Sequence, residues 1–247
     1  MEKDLIVIIP AFNEAAAIGG FLDSLHAEGV FDKADVLVIN DGSTDATSFI
    51  AKEKGADVVT HVYNLGYGSA LQTGYKYAVR GGYQYLIQID GDGQHDAKNI
   101  DIIYKALKAE GDKHPIIIGS RFVQSSETFE VSAIKRFAIA FFRFLIRAST
   151  KSPILDPTSG LQGLTRDAFL FCSYYDNFAP DYPDANIVVH LLLNGFRIKE
   201  VRSIMHARTE GESMHSGLKP ILYIFKMALN TTVVIAREKI FKKKKKK

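Results

Sequence analysis

The chain carries almost no sulfur chemistry. A single cysteine, Cys172, stands among 247 residues, which excludes an intramolecular disulfide and a multi-cysteine zinc site. Cys172 reads as a small core residue. No positively charged start followed by an apolar stretch opens the chain, because Leu5 to Pro10 is too short and reads as a strand; the protein is therefore expected to stay in the cytosol. No run reaches the roughly 20 apolar residues that a transmembrane helix requires. Two nucleotide-binding signatures are missing as well. No G-x-G-x-x-G follows the first strand and no G-x-x-x-x-G-K-[ST] exists, so neither a standard dinucleotide turn nor a P-loop is present. There is no internal repeat, and the only low-complexity stretch is the lysine run Lys242 to Lys247.

What is present is enough apolar material for one sizeable core. With 47% hydrophobic residues, the chain reads as one catalytic unit over residues 1–217 and an appended segment over 218–247. Through residue 120, short β-rich runs alternate with helical stretches: strands at 5–9, 35–39, 57–61, 84–89 and 115–119, and helices at about 14–28, 44–54, 68–80 and 97–109. This alternation predicts an α/β fold, a mostly parallel sheet flanked by helices. Ligands of such sheets bind beyond the carboxyl ends of the strands.

Three predicted strands release polar turns toward that edge. Leu5–Ile9 leads into Pro10-Ala11-Phe12-Asn13-Glu14, Val36–Ile39 into Asn40-Asp41-Gly42-Ser43-Thr44-Asp45, and Tyr85–Ile89 into Asp90-Gly91-Asp92-Gly93-Gln94-His95. Two carboxylates one residue apart at a strand end present oxygens to a hard divalent cation, which can join them to a diphosphate. Asp and Gly also end strands simply as turn formers. Asn13-Glu14 and Ser43-Thr44-Asp45 read as polar helix starts whose backbone N–H groups suit phosphate. Asn64-Leu65-Gly66-Tyr67-Gly68-Ser69-Ala70 reads either as a close approach to a ligand or as an ordinary tight turn into a helix.

Charge is modest overall, +3, but uneven. Residues 132–149 interleave Phe137, Phe141, Phe142 and Phe144 with Lys135, Arg136, Arg143 and Arg147, which fits an interfacial helix or a core helix with one solvated basic stripe. Residues 218–241 repeat the pattern ahead of the lysine run. Both segments point to an anionic membrane surface as partner, each lysine near such a leaflet being worth about 1 kcal/mol. No nucleic-acid partner is expected.

With these motifs in order, the chain resembles the inverting family 2 glycosyltransferases of GT-A (Rossmann-like) fold, and among them the polyprenyl-phosphate, dolichyl-phosphate mannose synthase-like branch. The resemblance spans about residues 4–215 and rests on Ile8-Ile9-Pro10-Ala11-Phe12-Asn13-Glu14, Asn40 to Asp45, Asn64-x-Gly66-x-Gly68-x-Ala70 and Asp90-x-Asp92-x-Gln94-His95. It implies that Pro10, Ala11, Asn13, Glu14, Asp41 and Gly68 line the nucleotide-sugar site, and that Asp90, Asp92 and Gln94 hold Mg2+ or Mn2+ against the diphosphate. Arg121, in Gly119-Ser120-Arg121, matches a phosphate-contacting arginine; the bland reading is a surface arginine paired with a carboxylate. Asp156 to Gly163 resembles the acceptor-side turn, with Asp156 and Ser159 shaping the sugar pocket, although the residues alone show only a strong turn. Asp184 stands where many members carry a general base, but Pro183 precedes it in place of the usual Glu, so a structural role at a helix start is the alternative. Arg208 and Ser213 match a loop that closes on phosphate, and His206 or His215 could instead bind metal.

The function implied is a metal-dependent transfer of a hexose from a UDP- or GDP-sugar to a polyprenyl phosphate at the cytosolic face of a membrane, with a separate membrane-protein partner as an option. Two alternatives stand beside it: the same donor chemistry with a glycan hydroxyl as acceptor, and a catalytically silent membrane-bound scaffold. Nucleotidyl transfer lacks its glycine-rich start.

Overall fold

The computed structural model describes residues 3–123, 133–178, 183–206 and 219–245. In chain order the elements are β1 (Leu5–Ala11), α1 (Ile18–Ala27), α2 (Val30–Lys33), β2 (Ala34–Asn40), α3 (Thr47–Glu53), β3 (Asp57–Thr60), α4 (Tyr67–Arg80), β4 (Tyr85–Gln88), α5 (Lys98–Glu110), β5 (Ile116–Ser120), α6 (Ala133–Thr150), β6 (Gln162–Thr165), α7 (Arg166–Ser173), α8 (Ala185–Leu193), β7 (Ile198–Arg202) and α9 (Lys219–Lys245). The alternation predicted through residue 120 is present. The first helix starts later than expected, at Ile18, because Glu14 first closes a turn by accepting the N–H groups of Ala17 and Ile18 at 3.0 and 2.9 Å.

The seven strands form one sheet in the order β3-β2-β1-β4-β6-β5-β7. All neighbours are parallel except β6, which runs antiparallel to both β4 and β5. Side-chain alternation divides the interior into two layers. Ile6, Ile8, Leu37, Ile39 and Leu86 face α4, α6, α7 and α8, while Leu5, Val7, Ile9, Val36, Val38 and Ile87 face α1, α3 and α5. Burial on both faces explains why β1 and β2 read as nearly unbroken apolar runs.

The short elements β6, α7 and β7 were not read from the sequence. The Asp156–Gly163 stretch, expected as a turn, is a turn at Pro157–Thr158 followed by the start of β6 at Gln162. Four residues reading Gln-Gly-Leu-Thr carry no apolar run that would signal a strand. The antiparallel insertion has a consequence for the site: because β6 begins where β4 and β5 end, the turn leading into it lies at the carboxyl edge of its neighbours.

Each of the two basic helices has a buried side and an exposed side. Ala138, Ile139, Phe142 and Ile146 of α6 are buried, while Phe137 and Phe144 are 72% and 68% exposed beside Arg136 and Arg147. In α9, Met227 and Thr231 are buried against the core, and Phe225, Leu229, Val233 and Ile240 stand exposed at helical spacing. Both helices pack on α8. Among the described residues no helix is long and apolar enough to cross a membrane.

If α6 is an integral wall of the core, Phe142→Ala should lower unfolding stability by about 3–5 kcal/mol. Phe144→Ala, which removes only an exposed ring, should change it by about 0.5 kcal/mol or less. Urea unfolding of both variants checks this, and equal effects would contradict the packing.

Candidate active site

The loops after β1 and β2 are knitted to one another. The N–H groups of Asn13, Glu14 and Ala15 donate to Ser43 Oγ, Thr47 Oγ1 and Asp45 Oδ2 at 2.9, 2.9 and 3.1 Å. In return Asn13 Oδ1 accepts from the N–H of Thr44 at 2.9 Å. Asn13 reaches this geometry with φ +55°, a left-handed conformation that Asn tolerates better than most residues. These bonds correct the sequence expectation of open N–H groups for phosphate at Asn13-Glu14 and at Ser43-Thr44: those of Asn13, Glu14 and Thr44 are already satisfied by the partner loop, and that of Ser43 by Asn40 Oδ1 at 3.1 Å. What the knitting achieves is a rigid floor beside Pro10 and Ala11, which end the buried strand β1.

Asp41 is 3% exposed and faces inward. Its carboxylate accepts the N–H groups of Leu65 and Gly66 at 2.8 Å each and meets His61 Nδ1 at 2.7 Å, while His61 Nε2 reaches Thr73 Oγ1 at 2.9 Å. It thereby fixes the 64–66 loop, which delivers Gly68, buried in the first turn of α4. Gly42 must be glycine here: its φ is +71°, and a Cβ would lie 2.5 Å from the backbone carbon of Tyr63.

The third loop carries the paired carboxylates. Tyr67 Oη donates to Asp90 Oδ1 at 2.8 Å, and the other oxygen of Asp90 lies where a side chain on residue 160 would collide with it, so Gly160 is the cradle for this carboxylate. Asp92 Oδ1 accepts the N–H of Gln94 at 3.0 Å, which shapes the Asp92–Gln94 turn. Asp184 precedes α8 and joins the same cluster. Burial pushes its carboxyl up to about 7, the charges of Asp90 and Asp156 add to the rise, and Arg121 opposes it. Asp184 makes no side-chain cap bond to α8.

Arg121, just past β5, is gripped by Asp156: Nε and Nη2 donate to its two oxygens at 2.7 and 2.6 Å, and Nη2 also reaches Thr158 Oγ1 at 2.8 Å. The planar fork of an arginine suits this two-point contact. Ser159 Oγ donates to the carbonyl of Gly119. His95 is 7% exposed, and its Nδ1 has no partner among the described residues. Burial pushes its imidazole down to about 4, although Asp92 and Asp156 pull it upward and Arg121 adds to the fall, so the ring is neutral at pH 7.

The segment after β7 folds onto this loop. Buried Asn99 exchanges two bonds with the backbone of Ile204, at 2.7 and 2.8 Å, and the N–H of His206 donates to the carbonyl of Gln94 at 2.8 Å. His206 Nε2 lies 2.8 Å from Asp96 Oδ2.

The structure therefore gathers Asp90, Asp92, Gln94, Arg121, Ser159 and Asp184 at one sheet edge, with Pro10, Ala11, Asn13, Glu14, Asp41 and Gly68 on the adjoining loops. Arg208, Ser213 and His215 lie outside the described residues. Sequence reasoning assigned no role to Tyr67 and Gly160, although both lie inside quoted motifs, and passed over Glu200, which lies in none; only the fold shows the first two against Asp90 and the third against Asp156.

Asp90, Asp92 and Gln94 offer oxygen donors alone, which suits Mg2+ or Mn2+ rather than a softer metal. Among the described residues no group of three or more His, Cys, Asp or Glu side chains could hold a metal alone. The residues fit a cation that completes its shell with substrate phosphate and water, as Mg2+ commonly does.

The mostly parallel sheet with acidic loops gathered at its carboxyl edge matches the GT-A fold of glycosyltransferases. Residues 6–171 match the family described as Glycosyl transferase family 2, and the chain belongs to that family. An uncharacterised protein of Methanocaldococcus jannaschii is 35% identical over 170 residues, covering 68% of this chain and 67% of that one. The polyprenol monophosphomannose synthase of Mycolicibacterium smegmatis is 27% identical over 90% of this chain and 85% of its own length. In fold, the chain is similar to glucosyl-3-phosphoglycerate synthase of Mycobacterium tuberculosis, with TM-score 0.69 and 19% identity over 93% of this chain and 80% of that one. That enzyme has also been solved with Mn2+, UDP and its product.

The raised proton affinity of Asp184 sets a sign for stability. Its neutral form is the one the fold favours, so its contribution is complete below the ordinary carboxylate value of about 4 and is lost as pH rises through about 7. In the presence of a chelator, Asp184→Asn should therefore be more stable than wild type near pH 8, with the difference shrinking toward about pH 4. Parallel Tm-versus-pH curves for the two proteins would remove Asp184 from the charged cluster.

Proposed function

We propose that this glycosyltransferase moves a hexose from a UDP- or GDP-sugar to a polyprenyl phosphate at the cytosolic face of a membrane, with inversion at the anomeric carbon. The observation that carries this reading is the joining, on one sheet, of a carboxylate-rich edge and two helices that expose apolar side chains beside basic ones. Residues 1–217 carry the donor chemistry in this reading, and residues 218–247, together with α6, supply the membrane contact. Names of relatives support the acceptor class: besides the mannose synthase, a Methanococcus voltae protein 26% identical over 68% of this chain is named a dolichyl-phosphate N-acetylglucosaminyltransferase.

Pro10, Ala11, Asn13, Glu14 and the loop braced by Asp41 would line the nucleoside, with Gly68 at the start of α4 nearby. Asp90, Asp92 and Gln94 would hold Mg2+ or Mn2+, which supplies positive charge to stabilise the departing diphosphate. Arg121, Arg208 and Ser213 would contact phosphate oxygens, and Ser159 would shape the sugar pocket. In the reaction, the bond between the anomeric carbon and the diphosphate oxygen breaks as a bond to the acceptor oxygen forms on the opposite face. A lipid phosphate, with a second pKa near 6, is largely dianionic at neutral pH and needs no base.

A second reading has its own observation. Asp184, at the position of the family's base, sits in the same charged cluster as Asp90, as a hydroxyl acceptor would require.

One assay separates these readings: release of UDP or GDP from a panel of nucleotide sugars with Mn2+ or Mg2+, with and without short-chain polyprenyl phosphate in detergent. The primary reading expects release that needs the lipid phosphate and falls by about a hundredfold or more in Asp92→Asn. Asp184→Asn should then stay near wild type. A loss of about a hundredfold or more in Asp184→Asn with donor binding retained would favour a hydroxyl acceptor. Lipid-independent hydrolysis alone would sink both.

The membrane contact has a separate check. Co-sedimentation with vesicles rich in anionic lipid should weaken when Phe144 and Phe225 are changed to Ser and when salt is raised. Binding indifferent to both changes would argue against these helices as the membrane face.

A further inference from the structure

Glu200 belongs to no motif, yet the fold spends it on the site. It lies in the edge strand β7, in register with Ile118 of β5, a place where an acidic side chain ordinarily turns to water. Instead its two oxygens accept the N–H groups of Leu155 and Asp156 at 2.7 Å each, and the hydroxyl of Ser120 adds a further bond. Burial pushes its carboxyl up, and only these three donors oppose the rise, while the nearby charge of Asp156 adds to it.

The bonds of Glu200 end on the residues that set Arg121. The backbone of Asp156 is fixed by Glu200, and the carboxylate of Asp156, fully buried, holds Arg121 through Nε, Nη2 and the backbone N–H, the last at 3.0 Å. Ser120, touched by the same glutamate, is the residue before Arg121. Glu200 thus grips both sides of the arginine's mount: the end of β5 that carries it and the turn that clamps it. A glutamine could satisfy only one of the two N–H groups, because its NH2 would face the other.

We propose that Glu200 is a positioning residue for Arg121, fixing the Asp156 turn so that the guanidinium is aimed at the phosphate groups of the substrate. This rests on the phosphate-binding reading of Arg121. A strand residue placed only for stability would need no bond to the Arg121 mount, whereas this one is bonded to it from two directions.

The test is a double-mutant cycle on the full chain: wild type, Glu200→Gln, Arg121→Lys and the pair, measured for turnover of the donor sugar and for affinity of UDP and GDP with Mn2+. Glu200→Gln should lower turnover by about tenfold to a hundredfold, and the pair should be little worse than Arg121→Lys alone, since residues acting through one contact are not additive. Effects that multiply, or a Glu200→Gln enzyme with wild-type turnover, would overturn the inference. If Glu200→Gln does not fold, Glu200→Asp, which keeps the charge and shortens the reach, replaces it in the cycle with the same expectations. Failure of the underlying reading looks different: wild-type turnover and nucleotide affinity in Arg121→Lys and Arg121→Ala would remove the phosphate role itself, whatever Glu200 does.

Discussion

Repulsion among carboxylates is the constraint on which the site depends. Asp90 and Asp156 are close enough to Asp184 to raise its affinity for protons, and Arg121 is the cation set against that rise. Two like charges about 5 Å apart at an effective dielectric near 20 repel by about 3 kcal/mol, a sizeable fraction of the net stability of a typical domain. The fold offsets part of this with the Tyr67 hydroxyl on Asp90 and the two-point grip of Arg121 on Asp156. The rest persists as negative potential at the sheet edge, which is what a divalent cation carrying a diphosphate would neutralise.

Such crowding needs several loops to arrive at one place, and β6 is what makes them arrive. Had β6 run parallel to β4 and β5, the Asp156–Leu161 turn would lie at the far end of the sheet and Arg121 would lose its partner. Running antiparallel, β6 places Gly160 under Asp90 and Asp156 beside Arg121 with no long connection. The inserted strand also divides the sheet. β1 to β4 carry the loops that resemble a nucleoside site, while β5 and β7 carry Arg121 and Glu200 and lead to the two helices with exposed aromatic faces.

That division explains what could be read from the residues alone. The N-terminal part is built from long apolar strands and periodic helices, so strand and helix positions through residue 120 follow from the pattern of Leu, Ile and Val. Asp90, Asp92 and Arg121 stand directly at strand ends, and the edge they share follows from the parallel arrangement. The later part offers no such signal, because Gln162–Thr165 is short and mixed and Ile198–Arg202 sets only two apolar residues among three charged ones, without period, at a sheet edge. The expectation of open N–H groups at Asn13-Glu14 failed for another reason: the acceptors Ser43 and Thr47 come from a segment about thirty residues away, and local sequence does not report a long-range partner.

Asp184 shows how the same cluster bears on the choice of acceptor. Near neutral pH its proton is finely balanced, with burial and Asp90 favouring retention and Arg121 favouring loss. A hydroxyl acceptor requires the ionised form, which can take up the proton released on attack. A phosphate dianion is served by the neutral form, since an ionised carboxylate would repel it. Positive charge brought beside Asp90 shifts Asp184 toward ionisation, whereas a second anion shifts it back. In this arrangement the substrate's own charge would set the state of Asp184, and a scaffold with these acids could accommodate either acceptor chemistry without moving a strand.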